Sequence, residues 1–197
     1  MKTLATFALL MASTVFAQRP AVPTSPAAPS LPPLRGSIAR SPSWPVAKAE
    51  DVQSIDAIVK ALYEVISGPK GQARDWNRMR SLFLPDGRLI PSRADRETHR
   101  ADAVVLSIDA YIERSSGRME AEGFFERGVH DEVEQYGNIA HVWSTYESRH
   151  AAEDARPFAR GINSIELLKS GTRYYIVEVL WDAETPGNPL PKTYLPK

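Results

Sequence analysis

The sequence predicts an α+β domain, with helices first and an antiparallel meander after them. Apolar residues recur at helical spacing through the first half of the domain, and after Phe124 the pattern changes to alternation in four consecutive runs. Gly137-Asn138 and Ser170-Gly171 are two-residue hairpin signals between the first and the last pair of those runs.

The elements follow in order. In EDVQSIDAIVKALYEVISGPKG, the residues Val52, Ile55, Ile58, Val59, Leu62 and Ile66 make one apolar stripe, which predicts an amphipathic helix ended by Gly68-Pro69. A shorter helix is expected from Asp75 to Phe83, with Trp76, Met79, Leu82 and Phe83 on one side and Pro85-Asp86-Gly87 as the turn that breaks it. GRLIPSR then reads as a short strand ending at Pro91. A third helix is expected from Ser107 to about Met119, with Ser107 as its N-cap and Ile108, Tyr111 and Ile112 together on one face. The strand runs cover residues 124–136, 139–150, 160–169 and 173–182. The intervening RADRETHR, from Arg93 to Arg100, alternates in sign and reads as a mobile, solvated loop.

The ends of the chain have a different composition. Residues 1–17 read as a secretory signal peptide: Lys2 supplies a positive start, Leu4 to Met11 an apolar run, and Val15-Phe16-Ala17 a cleavage site, so a secreted or periplasmic chain beginning at Gln18 is expected. The apolar run is shorter than the roughly 20 residues that span a bilayer. Residues 18–47 form a proline-rich linker, with eight prolines between Gln18 and Pro45, a composition that disfavours both helix and sheet. Trp44 at its end is placed to tack this arm onto the domain. The domain itself is expected over 48–185, followed by a proline-containing tail over 186–197. Cysteine is absent, which excludes disulfides and thiolate metal sites. Lys+Arg and Asp+Glu balance at 24 each, so charge gives no reason to propose nucleic acid as a partner, nor a membrane once the signal is cleaved.

The order of elements, the PDG turn after a helix, the segment GNIAHVWSTYE and a final hairpin of G-x-x-Y-x-I-V type carry a resemblance. Over about residues 50–183 the chain resembles the nuclear transport factor 2-like superfamily, in its SnoaL-like and ketosteroid-isomerase-like branches. The resemblance implies a cone, in which a curved antiparallel sheet wraps around the N-terminal helices and leaves a pocket at its open end, a roll of the cystatin-like kind. It also implies isomerases, dehydratases, cyclases and epoxide hydrolases as relatives, along with members that only bind or associate. Fold therefore does not decide function.

Turn lengths set a strand register. A Gly137-Asn138 turn pairs Tyr136 with Ile139, Val133 with Val142, Asp131 with Ser144 and Val129 with Tyr146, the last three pairs on one face. The same reasoning across Ser170-Gly171 pairs Leu167 with Tyr174, Ile165 with Ile176 and Asn163 with Glu178. Each hairpin then offers an apolar face interrupted by one acid and one small polar partner. An acid facing an apolar cavity loses hydration, which raises its pKa towards neutrality and suits it to proton transfer. Asp131 and Glu178 are thus the candidate catalytic carboxylates, and Tyr63, Trp76, Ser144, Tyr146, Asn163 and Arg93 the candidate binding residues. The alternative at each acid is structural: a hydrogen bond from Ser144 or Asn163, or an arginine such as Arg93, satisfies it and fixes the packing.

His130 and His141 fall on the charged outer face without a closed set of metal ligands, and no metal or organic cofactor is expected. The leading functional expectation is binding of a small, mostly apolar organic ligand in the conical pocket. A cofactor-independent isomerase, dehydratase or cyclase using a pocket carboxylate as general base is the enzymatic alternative. The third is a homodimer formed through the outer sheet face around Trp143, Glu166 and Tyr175.

Overall fold

The computed structural model describes residues 37–95, 97–98 and 100–196; the signal-like segment and most of the proline-rich stretch lie outside the described residues. Four α-helices and seven strands make up the domain. The long first helix of the sequence reading is two pieces, α1 (Ala49–Val52) and α2 (Ile55–Ile66). Ser54 separates them because it takes an extended backbone (φ −145°, ψ 167°), and its side chain accepts the Ala57 N–H at 3.1 Å. An N-cap here outweighs the continuous apolar stripe. Asp75 caps α3 (Trp76–Leu82) by accepting the Arg78 N–H at 2.9 Å, and Ser107 caps α4 (Ile108–Glu122) by accepting that of Ala110 at 3.2 Å.

The strands are β1 (Phe83–Ala94), β2 (Ala101–Ala103), β3 (Leu106–Ser107), β4 (Phe125–Tyr136), β5 (Ile139–Arg149), β6 (Ala159–Ser170) and β7 (Arg173–Ala183). They form one open sheet in the order β2-β1-β7-β6-β5-β4, with β3 paired to β1. Every pairing is antiparallel except β1 with β7, which is parallel. β1 is longer than the expected GRLIPSR strand because Pro85-Asp86-Gly87 does not end the element. It is instead an irregularity between the Phe83–Ile176 and Arg88–Glu178 pairs. Part of the expected mobile loop is ordered too: Ala94 pairs with Ala101, and the Asp95 N–H donates to the Arg100 carbonyl at 2.9 Å.

α2 lies across the concave face of the sheet. Its Ile58, Leu62, Val65 and Ile66 join Met79, Leu82 and Phe83 against Val142, Ile165, Leu167, Ile176 and Val179, all under one-tenth exposed. Burial of such side chains is worth about 1.5–3 kcal/mol each. Trp44 packs against this core and its indole Nε1–H donates to the Phe83 carbonyl at 3.1 Å. The other face of β5 is covered from the C-terminal end of the chain: Thr145 Oγ1 donates to the Tyr194 carbonyl at 2.7 Å, and Tyr194 packs on Trp143. Trp143, expected on an open dimer-forming face, is roofed by the chain's own tail.

Two β-bulges correct the expected register. In β4 the pairs Tyr136–Ile139, Val133–Val142 and Asp131–Ser144 are as read from the turn, but the register shifts between His130 and Gly128. Gly128, not Val129, opposes Tyr146, and Glu126 opposes Ser148. In the last hairpin the turn is Gly171-Thr172, with Ser170 opposite Arg173 and Gly171 at φ 61°, where a side chain would be strained. A second shift lies between Glu166 and Leu167, so Leu167 pairs with Ile176 while Glu166 pairs with Glu178, and Asn163 faces Trp181. Because side chains alternate faces, one extra residue in a strand reverses everything beyond it.

Candidate functional site

The site is built on α2, β4, β5 and β6. Asp131, Ser144, Asn163 and Trp181 are successive cross-strand partners and form one row across the sheet. Tyr63 of α2 reaches down to that row. Its hydroxyl lies 2.6 Å from Ser144 Oγ and accepts from Asn163 Nδ2 at 3.1 Å, with all three residues buried. Two hydroxyl hydrogens belong to the Tyr63–Ser144 pair and one lies between the two oxygens. The other has no acceptor among the described residues. Burial, then the nearby charge of Glu126, raises the Tyr63 pKa, so the phenol stays protonated and able to donate.

Glu126 is the acid this arrangement turns on. The bulge at Val129 carries it to the inner face, where Ser148 Oγ donates to its Oε2 at 2.7 Å and Asn163 lies near enough to favour its charged form. No lysine or arginine pairs with it among the described residues. The residue as a whole is half-buried. Burial pushes its pKa up to about 7, against the opposing pull of the Ser148 and Asn163 hydrogen bonds. Burial and the proximity of Glu126 also raise the Tyr111 and Tyr146 hydroxyls.

Two cavities meet at Glu126. A cleft of about 560 Å³ runs between α2 and β4, with Val59, Tyr63, Phe125, Glu126 and Asp131 on its walls and Arg127 and Arg149 beside them. A small internal space of about 40 Å³ lies behind, bounded by Leu62, Met79, Tyr111, Glu126, Asn163 and Trp181. The cleft is within the range usual for small-molecule sites. Gly128 permits the close approach of its two sides: a Cβ there would sit 3.1 Å from Tyr63 Cε2, 3.2 Å from Ser144 Oγ and 3.5 Å from Asp131 Oδ1.

Solved structures resemble the chain at low identity. A protein of unknown function with a cystatin-like fold from Nostoc punctiforme is 10% identical, with 67% of this chain and 90% of that one covered and a TM-score of 0.50. The chain has a cystatin-like fold. An NTF2-like protein of unknown function from Silicibacter pomeroyi is 16% identical (66% and 92% covered, TM-score 0.43). A cystatin-like protein from Caulobacter vibrioides is 12% identical (68% and 89% covered, TM-score 0.48). No protein-family model matches the chain, and no curated protein matches it.

On this cystatin-like scaffold the expected residues divide. Tyr63, Ser144 and Asn163 converge, and Asp131 lies at the exposed side of the same row, on the cleft wall. Tyr146 is buried one pair further along, packed across Gly161. Glu178 is not with them: the β7 bulge turns it to the opposite face, where its Oε2 meets Arg88 at 2.8 Å. Trp76 is half-buried against the core and lines neither cavity. Arg93 is exposed on β1 opposite Asp102, away from the cleft. Glu126 was hidden from the register argument because unbroken pairing would put Arg127 opposite Ser148. Gly128, a glycine inside a strand, was the signal of the bulge. Among the described residues no group of three or more histidines and carboxylates is arranged to hold a metal ion.

Proposed function

We propose that the cleft between α2 and β4 binds a small, mostly apolar organic molecule through a carbonyl or similar acceptor oxygen. The single observation carrying this is the unplaced hydroxyl hydrogen of the buried Tyr63–Ser144 pair at the wall of a cleft that Glu126 also lines. A ligand oxygen accepting that hydrogen completes the network, and the apolar walls at Val59 and Phe125 accommodate the rest of the molecule.

Glu126 favours an enzymatic second reading. A carboxyl poised near pH 7 can take a proton from a carbon next to a carbonyl and return it elsewhere, while the Tyr63–Ser144 hydroxyls stabilise the enolate oxygen formed between the two steps. That is isomerase-type chemistry, with Glu126 in the role the sequence reading gave to Asp131 and Glu178. Deprotonated Glu126 is the base, so the rate rises with pH through about 7 and levels above it.

The test uses the full chain in D₂O with a panel of cyclic ketones, reading binding by saturation-transfer NMR and loss of α-hydrogen signal as exchange. Binding that falls at least tenfold in Tyr63→Phe, and exchange that disappears in Glu126→Gln while binding persists, are expected. Ketones that bind unchanged in Tyr63→Phe would overturn the binding reading. Exchange at the solvent rate in the unmodified protein would overturn the enzymatic one.

A further inference from the structure

The charged residues of the cleft are sorted along its length. The Glu126 N–H donates to Ser67 Oγ at 2.9 Å, which fixes the C-terminal end of α2 against the start of β4. Phe125, Arg127 and Arg149 line the cleft at that end, with Phe125 directly opposite Arg149 in the sheet. Tyr63 lies one helical turn earlier, about 6 Å along the axis, and Asp56 about 10 Å further still. β4 runs alongside in the opposite sense: it passes Tyr63 at Gly128 and reaches Asp131 beyond it. Asp56 and Asp131 therefore mark one end of the cleft and the arginines the other. Between them the Lys60 ammonium is already paired with Glu64.

The two arginines share one counter-ion. Each donates from Nη2 to the same oxygen, Glu147 Oε2, Arg127 at 3.1 Å and Arg149 at 2.8 Å. Two guanidiniums on one carboxylate leave a positive charge in excess. Arg149 is held in place, with its Nε–H donating to the Asp154 carbonyl at 2.9 Å and its side chain only 11% exposed. Its Nη1 finds no partner among the described residues, yet is not sealed from solvent. Arg127 is open, with a side chain 66% exposed, and its Nε and Nη1 are likewise unpartnered among the described residues. Asp154 forms no salt bridge with either arginine; its carboxylate accepts the Ala151 N–H at 2.9 Å.

We infer that the cleft selects a keto acid, a small ring ketone carrying one carboxylate about one helical turn from its carbonyl. The inference rests on the carbonyl reading proposed above and adds the charged end to it. The carboxylate meets the excess charge of the Arg127–Glu147–Arg149 group, accepting from Arg149 Nη1 and from Arg127; guanidinium donors suit the two oxygens of a carboxylate. The carbonyl accepts from the Tyr63–Ser144 pair, and the ring lies against Val59 and Phe125. Asp56 and Asp131 oppose a carboxylate at the far end, so the cleft favours one orientation, and an acid with one carboxylate over an acid with two.

The experiment is calorimetric titration of the full chain at pH 6 and low salt. The probes are 4-oxocyclohexanecarboxylate, its neutral carboxamide, and cyclohexanecarboxylate, which lacks the carbonyl. At this pH a carboxylate probe is ionised, and Glu126, with its pKa of about 7, is mostly protonated and does not repel it. The keto acid is expected to bind at least fivefold more tightly than the carboxamide. Arg127→Gln is expected to cut that ratio at least threefold and Arg127→Lys, which keeps the charge, to cut it less. Arg127 is exposed, so neither change is expected to unfold the chain, and a ratio taken within one variant cancels any general loosening of the cleft. Equal affinity for keto acid and carboxamide, or a ratio unchanged in Arg127→Gln, overturns the inference; if both probes still weaken at least tenfold in Tyr63→Phe, the carbonyl reading stands without it. Cyclohexanecarboxylate separates the reverse case. Binding that Arg127→Gln removes, while Tyr63→Phe alters no probe, supports the carboxylate end and overturns the carbonyl reading. No binding by any of the three overturns both.

Discussion

At the scale of single residues, Glu126 sets a pH dependence whose sign follows from its environment. Its ordinary pKa of 4.5 is raised to about 7 in the folded chain, so between those values the folded form holds the proton more tightly than the unfolded form does. Stability is therefore highest below about 4.5 as far as this group is concerned, falls as pH rises towards 7, and is flat above that. Glu126→Gln keeps a neutral hydrogen-bonding group there and removes the ionisation. Relative to the unmodified chain, it is expected to gain about 3 kcal/mol at pH 8 and under about 1 kcal/mol at pH 5. Urea unfolding at the two pH values measures this, and an equal effect at both would mean that the carboxyl is solvated. The Arg88–Glu178 pair behaves differently: both groups keep access to solvent, and exposed pairs contribute about 0–1 kcal/mol. Two acids of one sheet thus have opposite roles because of which face each one occupies.

At the scale of elements, the helices and the four long strands could be read from periodicity, and the cap at Ser107 from residue type. What periodicity could not give was the register beyond a bulge. Gly128 marked the β4 bulge, but no glycine or proline in β7 marks the one near Val177, which coincides with an irregularity in the neighbouring strand β1. β7 follows β1 there past the Pro85-Asp86-Gly87 irregularity, between the Phe83–Ile176 and Arg88–Glu178 pairs. Ser144 was found because its pairing with Asp131 lies between the turn and the β4 bulge, and Asn163 because alternation within β6 keeps its face although its partner in β7 changed; Glu126 was missed because it lies beyond the β4 bulge. Two substitutions test the elements that bring the site together. Gly128→Val forces a side chain between Tyr63 and Ser144, and is expected to cost about 1–3 kcal/mol in chemical denaturation and to weaken ketone binding in the cleft. Ser54→Ala removes the N-cap of α2 and is expected to cost about 1 kcal/mol without moving the cleft residues, since Tyr63 lies more than two turns further along the helix. Loss of binding in Ser54→Ala equal to that in Gly128→Val would show that the cleft depends on overall stability and not on the close approach at Gly128.

At the scale of the whole molecule, the C-terminal segment decides what the outer face of the sheet is free to do. Residues beyond Ala183 turn back through the paired Thr185 and Asn188, are held at Glu184 by Arg160 and the Leu190 N–H, and end with Tyr194 over Trp143 and Thr145. They cover Ile162, Trp143 and part of Leu180, the apolar side of a sheet whose opposite face is already filled by α2. An uncovered apolar patch of this kind favours association with a second surface. A chain ending at Glu184 is therefore expected to fold, since α2 and the concave face are untouched, but to self-associate in a concentration-dependent way in analytical ultracentrifugation. Its Trp143 emission should move to longer wavelength at low concentration and return as the protein associates. Adding Trp143→Glu to the shortened chain should restore a single species, because a charge at the centre of the exposed patch opposes its burial against a copy of itself. A shortened chain that stays monomeric across the concentration range would mean that the tail does not guard this face.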